Sequence, residues 1–275
     1  MPAGGARETT LTVVSEPELL VSEAPGVVTV TFNRPHRHNA FTKAMYGEIR
    51  ALCEQLRTRG DVRVVVLRGA GGRAFAAGNE ISDFLREPDP VAYEEWIREL
   101  LDALFTLPQV TIAAVDGVCV GGGLAVATHC DLRIATPRSR FGYPIAKTLG
   151  NALSAPIVHR CSAVFGESIT RQMLLTARLV DAERAYGVGA LLDVVDDLDA
   201  AVDEVVAGLL GLSAITQSTV KSQLVERAAA QEGAPTWDEE VLREVYAGPD
   251  FAEGVRAFLA KEKPAFTGTP RTSGQ

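Results

Sequence analysis

The chain has 275 residues, 47% of them hydrophobic and 23% charged, and carries a formal net charge of −8. That length and apolar share suit one large core, alone or with an appendage. The acidic balance argues against nucleic acid as a partner, and no apolar run approaches the roughly 20 residues that span a bilayer, so no membrane partner is expected.

The opening MPAGGARETT has no basic region followed by an apolar stretch, so a cytoplasmic protein is the expectation. Cys53, Cys119, Cys130 and Cys161 show neither CxxC nor paired metal-ligand spacing. They read as small buried hydrophobes in a reducing compartment, and no metal is expected. A polyanionic cofactor would need a local positive cluster. Arg34-Pro35-His36-Arg37-His38 and Lys261-Glu262-Lys263 are the two candidates, each equally readable as a solvated face.

Residues 19–33 read as two strands turning at Pro25-Gly26. A helix starts at Thr42, places Met45, Ile49, Leu52 and Leu56 on one face, and stops at Gly60. Arg63–Arg68 contains VVVL, a run typical of a strand buried on both faces. A short strand follows at Ala74–Ala77, then an amphipathic helix over 91–107 closed by Leu107-Pro108. Thr111–Val115 is again a buried strand; Gly121-Gly122-Gly123 leads into the apolar segment Leu124–Cys130; Asp131–Ala135 is a further strand. From about residue 152 helical signals dominate, apart from Arg178–Val180 and Asp193–Val195. The expected organisation is an α/β core over 11–205 and a helical region over 206–266, with disordered ends at 1–10 and 267–275.

Three glycines at a strand-to-helix junction cost backbone entropy. A helix N-terminus presents unpaired N–H groups, and glycine lets a ligand oxygen approach them closely. The dinucleotide-binding pattern G-x-G-x-x-G is absent, since Val126 stands where its last glycine belongs, and no Gly-Lys-Ser/Thr follows as in a phosphate loop. Tight helix packing is the plain alternative. A second turn, Phe75-Ala76-Ala77-Gly78-Asn79-Glu80-Ile81, follows the VVVL strand. Two such turns can place two backbone donors around one oxygen, the geometry of an acyl-transfer or enolate-stabilising site.

Taken together, Asn33-Arg34-Pro35 with Asn39-Ala40, VVVLRGAGGRAFAAGNEI, AAVDGVCVGGGLAVATHCDLRIAT, Arg140-Phe141-Gly142, LLTARLVDAERAYGVGALLDVV and FLAKEKPAF resemble the crotonase (enoyl-CoA hydratase/isomerase) superfamily from about Val27 to Phe266. The resemblance implies a spiral of ββα units with a helical C-terminal trimerisation region, assembled as a homotrimer or a dimer of trimers. It implies an acyl-CoA thioester as ligand, with coenzyme A part of the substrate and no tightly bound cofactor. The oxyanion donors would be the backbone N–H groups of Asn79 and Gly122. His36, Arg37, His38 and Ala40, with Ala76, Ala77 and Ile81, would hold the adenosine and phosphates. Phe258 and Lys261 would cap the CoA, often from a neighbouring subunit.

Hydratases of this family carry a glutamate two residues after the glycine triplet and another after F-G-x-P. Here those positions hold Ala125 and Ile145 or Ala146, according to where a one-residue insertion falls. A positioned acid or base contributes about 10²–10⁴ in rate, so ordinary hydration is not expected. Glu80, Asp83 and His129 are the substitute candidates, each with a structural alternative: a solvated or capping role for the carboxylates, core packing for the histidine. Asp131 reads as a cap at a strand start. Tyr143, Lys147 and Asn151 lie in the segment that lines the family's acyl pocket, while Ala152 occupies the position of the dehalogenase nucleophile. Two expectations stand: an enzyme working through a thioester enolate, or a non-catalytic acyl-CoA binder. A weaker third is a partner subunit that supplies the missing group.

Overall fold

A computed structural model describes residues 16–84, 86, 89–232 and 237–268. The segment 1–10, and the expected tail from 269 onward, lie outside the described residues. Thr267 and Gly268, at the start of that tail, donate their N–H groups to Asp250 Oδ1 at 2.9 and 2.8 Å, so the tail expected from 267 is held at its first two residues.

In chain order the strands are β1 (Leu19–Ala24), β2 (Val27–Phe32), β3 (Val64–Gly69), β4 (Ala74–Ala76), β5 (Val110–Val115), β6 (Val118–Val120), β7 (Leu132–Ala135), β8 (Arg140–Gly142), β9 (Val180–Asp181) and β10 (Asp193–Val194). The core helices are α1 (Lys43–Leu56), α2 (Ile81–Phe84), α3 (Pro90–Phe105), α4 (Gly122–His129), α5 (Ile145–Thr148), α6 (Ala155–Phe165), α7 (Glu167–Thr176) and α8 (Ala182–Gly187). The last helices are α9 (Leu198–Leu210), α10 (Ala214–Glu232), α11 (Trp237–Tyr246) and α12 (Pro249–Ala260).

Two sheets result, ordered β1-β2-β3-β5-β7-β10 and β4-β6-β8-β9. β1 and β2 form an antiparallel hairpin whose turn needs Gly26 at φ +79°. Pairing from β2 through β10 is parallel in the large sheet, as it is among β4, β6 and β8 in the small one. The chain crosses from large sheet to small sheet at β3–β4, β5–β6 and β7–β8, and then enters a helix. This is the spiral of strand–strand–helix units expected from the sequence.

The VVVL run explains the layering. Val65 and Leu67 face the main core with Met45, Ile49 and Leu56 of α1 and Leu100, Leu101 and Leu104 of α3. Val64 and Val66 face the other way, onto Leu198 and Val202 of α9. A strand covered on both faces cannot alternate polar and apolar residues, and each such side chain contributes about 1.5–3 kcal/mol by its burial.

α9 runs through residues 205 and 206, so the boundary expected there falls inside a helix that belongs to the core; the break comes after Leu210. The carbonyls at its C-terminus are taken by Arg63, whose guanidinium bonds Leu209 O, Leu210 O and Leu212 O. Asp131 caps a strand start as expected: its Oδ2 accepts from the Thr111 N–H at 2.7 Å and pairs with Lys221 Nζ at 2.7 Å. All four cysteines are buried and free, and burial raises their thiol pKa values.

Candidate active site

β4 and β6 are parallel neighbours, so the chain leaves both at the same end. The two glycine-rich turns therefore meet. Gly78 holds φ +102° and Gly121 φ +54°, and a Cβ built on Gly121 would stand 3.3 Å from Gly78 Cα. Gly123 packs directly on the Ala76 backbone, where a side chain would overlap its carbonyl. Tight packing and an open donor thus divide the triplet between them.

Among these glycines, Gly122 is the one whose N–H the helix leaves open. The Gly121 N–H is donated to Gly142 O at 3.1 Å, whereas Gly122 opens α4 and its amide has no carbonyl one turn earlier in the helix. On the facing turn, Phe41 makes both bonds of a parallel bridge: its N–H to Gly78 O at 2.9 Å and its carbonyl from the Glu80 N–H at 2.7 Å. That pattern leaves the Asn79 N–H on the opposite side of its strand. The Asn79 side chain is fixed as well. Tyr46 Oη donates to Asn79 Oδ1 at 2.6 Å, and Tyr93 hydrogen-bonds the same amide.

Asn79 and Gly122 both line a cavity of about 630 Å³. Exposed His36, Arg37, His38, Phe258 and Lys261 form its mouth, and buried Ile97, Ala125 and Ile157 form its interior, with Leu153 half-buried beside them. A basic, solvated entrance leading past two amide donors to an apolar end suits a ligand with an anionic head, a carbonyl and a hydrocarbon part.

A family model described as enoyl-CoA hydratase/isomerase matches residues 22–269. The chain belongs to this family. Among curated relatives, the 1,2-epoxyphenylacetyl-CoA isomerase of Escherichia coli K12 is 32% identical over 257 residues, covering 88% of this chain and 95% of that protein. Among solved structures, a methylmalonyl-CoA decarboxylase in complex with 2-nitronate-propionyl-CoA superposes with a TM-score of 0.84 at 26% identity, covering 93% and 100% of the two chains. An enoyl-CoA hydratase from Mycobacterium avium subsp. paratuberculosis K-10 gives 0.82 at 28%, covering 92% and 99%. The fold is thus that of the crotonase superfamily.

The positions at which the resemblance leads one to expect glutamates hold apolar residues. Ala125 lines the cavity from α4, and Ile145 lines it from α5, while Ala146 is exposed and does not. None of these side chains can exchange a proton.

The three substitute candidates from the sequence fare differently. Glu80 lies on the cavity but is engaged by Arg34 at 3.1 Å and Arg37 at 2.7 Å. Burial pushes its pKa up, and the hydrogen bonds from Arg37 and Arg34 outweigh that and hold it below the usual glutamate range. It is a locked anion. Asp83 caps α1, its Oδ2 accepting the Lys43 N–H at 2.8 Å, and it faces a shallow hollow beside the mouth. His129 is corrected outright: it is buried away from the cavity, its Nδ1 2.7 Å from Ala125 O and its ring edge-on to Phe105. Burial lowers its pKa to about 3, so the ring is neutral at pH 7 and bonds its own helix.

Of the expected CoA-holding residues, His36, Arg37, His38, Ala40, Ala77, Ile81, Phe258 and Lys261 line the cavity. Phe258 of α12 and Lys261 just beyond its end reach it from the same chain. Ala76 is fully buried behind the turn and does not reach it. Asn151 reaches the cavity; Tyr143 is in the core and Lys147 is exposed.

Sequence reasoning missed Glu94. This α3 residue lines the cavity, is only 6% exposed, and accepts a hydrogen bond from Tyr246 Oη to Oε1 at 2.5 Å. A signal existed, because Glu94 stands with Ile97, Leu101 and Leu104 on the buried stripe of its helix. Its partner Tyr246 comes from α11, on a stripe shared with Leu242, and belongs to a small apolar cluster that seats α11 on the start of α3. Burial first, and then the Glu94 carboxylate, hold the Tyr46 phenol well above its usual range, keeping it a donor to Asn79. Among the described residues no group of three or more His, Cys, Asp and Glu side chains is arranged to hold a metal, and no helix is long and apolar enough to cross a membrane.

Proposed function

We propose that this protein binds an acyl-CoA thioester and stabilises its enolate, the thioester oxygen accepting from the N–H groups of Asn79 and Gly122. What supports this reading is the meeting of two glycine turns, with Asn79 and Gly122 both lining the same cavity. A pair of fixed donors opposes the negative charge that grows on the oxygen when a proton leaves the α-carbon. Each such donor contributes about 10²–10³ in rate. His36, Arg37 and Lys261 would hold the phosphates at the mouth, and Ile97, Leu153 and Ile157 the acyl chain. The known relatives whose names include a CoA thioester support the substrate class.

A second reading, a binder without chemistry, is favoured by one observation: apolar Ala125 and Ile145 line the cavity where the resemblance leads one to expect glutamates. The test is to record the difference spectrum of a 2-enoyl-CoA on binding, and to follow α-proton exchange of saturated acyl-CoAs in D₂O. Polarisation with exchange supports the enzyme; polarisation without exchange supports the binder; tight binding without polarisation refutes both donors. We also propose a cytoplasmic homotrimer or dimer of trimers. Exposed Leu175, Leu192, Leu212, Ile215 and Leu224 supply apolar surface for such an assembly, and sedimentation as a monomer at micromolar concentration would refute it.

A further inference from the structure

With Ala125 and Ile145 on the wall, a proton must be handled by some other group. Three carboxylates among the described residues line the cavity: Glu80, Glu94 and Glu262. Glu80 is held by two guanidiniums. Glu262 sits in solvent at the mouth and pairs with Arg256 at 2.8 Å. Glu94 is the interior one. It projects from α3 one turn before Ile97, so both side chains face the same apolar space, which Ala125, Leu153 and Ile157 also bound. Burying a carboxyl group in such surroundings is costly unless it is hydrogen-bonded. Tyr246 donates to its Oε1 at 2.5 Å, and Asn151 Nδ2 lies 3.4 Å from the same phenol oxygen. A second link runs along α3: the residue before Glu94 is Tyr93, which holds the Asn79 amide at the donor turn. One helix therefore carries both the clamp on an oxyanion donor and the interior carboxyl group.

We propose that Glu94 is the proton carrier of this site, and that the reaction it serves is an allylic 1,3-proton shift converting a 3-enoyl-CoA to a 2-enoyl-CoA. The inference rests on the enolate reading above. The Glu94 carboxylate takes a proton from the α-carbon. The C–H electron pair passes into the thioester, whose oxygen becomes the dienolate oxygen facing Asn79 and Gly122. The dienolate then re-forms its C=O and takes the same proton back from the Glu94 carboxylic acid at the γ-carbon. The double bond moves from C3–C4 to C2–C3, Glu94 ends as the carboxylate it began as, and no co-reactant is consumed. Hydration asks for more: a group to activate water and a group to protonate carbon, in a wetted site. A single carboxyl group in an apolar chamber matches the shift. Tyr246 acts as a positioning residue, fixing the carboxyl group from the C-terminal helical region.

The experiment follows a short-chain trans-3-enoyl-CoA by the rise of 2-enoyl thioester absorbance, and in D₂O by NMR of the γ-carbon. Wild type is expected to isomerise, with part of the migrating label retained. Glu94→Gln should lose about 10²–10⁴ in kcat, while binding a 2-enoyl-CoA within about threefold and polarising it fully. Glu94→Asp should keep an intermediate rate. Tyr246→Phe should lower kcat far more than it raises KM and displace the acid limb of the kcat–pH profile. Glu94→Gln within threefold of wild type would overturn the proposal, as would wild type that polarises its ligand yet moves no proton. Loss of binding and polarisation together in Glu94→Gln and Glu94→Asp would make Glu94 a packing group and likewise overturn it. Failure of wild type to polarise any enoyl-CoA is a separate outcome that overturns the enolate reading itself.

Discussion

Replacing Gly122 by alanine is the sharpest probe of the donor pair, because it leaves the N–H chemically intact. A Cβ at this position would overlap Asn79 Oδ1, and would stand 2.6 Å from Tyr46 Oη and 3.1 Å from Asn79 Cγ. Ordinary contact lies nearer 3.5–4.0 Å, so these groups must retreat by about 1 Å. They cannot retreat freely, since Tyr46 is fully buried and its hydroxyl anchors the Asn79 amide at 2.6 Å. Over-packing of this kind costs about 1–3 kcal/mol in stability. A misplacement of about 1 Å at a reacting centre can cost 10²-fold in rate. We expect Gly122→Ala to melt a few degrees lower, to bind acyl-CoA within about fivefold of wild type, and to lose roughly 10²-fold in α-proton exchange. The assay pairs thermal unfolding with the 2-enoyl-CoA difference spectrum, whose displacement should collapse. A variant that shows the full spectral displacement and full exchange would refute the reasoning, for the donors would then not depend on the Asn79–Gly122 contact.

Other outcomes follow from the same geometry. Glu80→Gln removes the carboxylate that Arg34 and Arg37 share, Arg34 keeping its pair with Glu18 at 2.8 Å, so it should cost about 1–3 kcal/mol at neutral pH. Because the folded-state pKa of Glu80 is depressed, its contribution is present above the ordinary glutamate range and is lost as pH falls through the lower folded value. The melting difference between wild type and variant should therefore shrink in acid; a difference that stays constant from pH 7 to pH 3 would contradict the ion-pair account. His129→Gln should leave turnover within about threefold of wild type, since the ring lies outside the cavity. The unfolded chain takes up a proton near 6.5 while the folded ring resists it down to about 3, so wild type should lose up to about 1.4 kcal/mol per pH unit across that window relative to the variant. Parallel melting curves would refute the buried neutral ring. Arg37→Ala and Lys261→Ala should each weaken CoA-ester binding by about 3–10-fold at low salt, and by less at high salt. Neither should alter binding of the corresponding acyl-pantetheine, and an equal loss with that truncated ligand would remove the phosphate assignment.

Much of the architecture was legible because it rests on local signals. The two-faced VVVL strand, the Thr42 start of α1 and the glycine triplet each have a physical cause within a few residues. β6 and β8 escaped because each is three residues long beside glycine, and each exists only by pairing in the small sheet. His129 misled for a related reason. A residue one turn beyond Ala125 shares its face on a helical wheel, but the cavity reaches α4 only at Gly122 and Ala125, and one turn further on that face packs against Phe105. The helical stripe could reveal that Glu94 is buried but not what it meets, because its partner Tyr246 arrives 152 residues later on a helix whose sequence says nothing about where it lands.

That long reach has a consequence for how the protein would behave when its cavity fills. Phe258 of α12 and Lys261 at its C-cap flank the entrance, and Tyr246 of α11 closes the deep end through Glu94. A ligand lying between them touches the spiral on one side and the last helices on the other, and so acts as a bolt between two parts of one chain. Occupancy at a hundred times Kd would add about 2.7 kcal/mol to any opening that parts them. Amides of α11 and α12 should accordingly gain more protection from hydrogen exchange on ligand binding than amides in β3 or β5, which are already sealed in the empty protein.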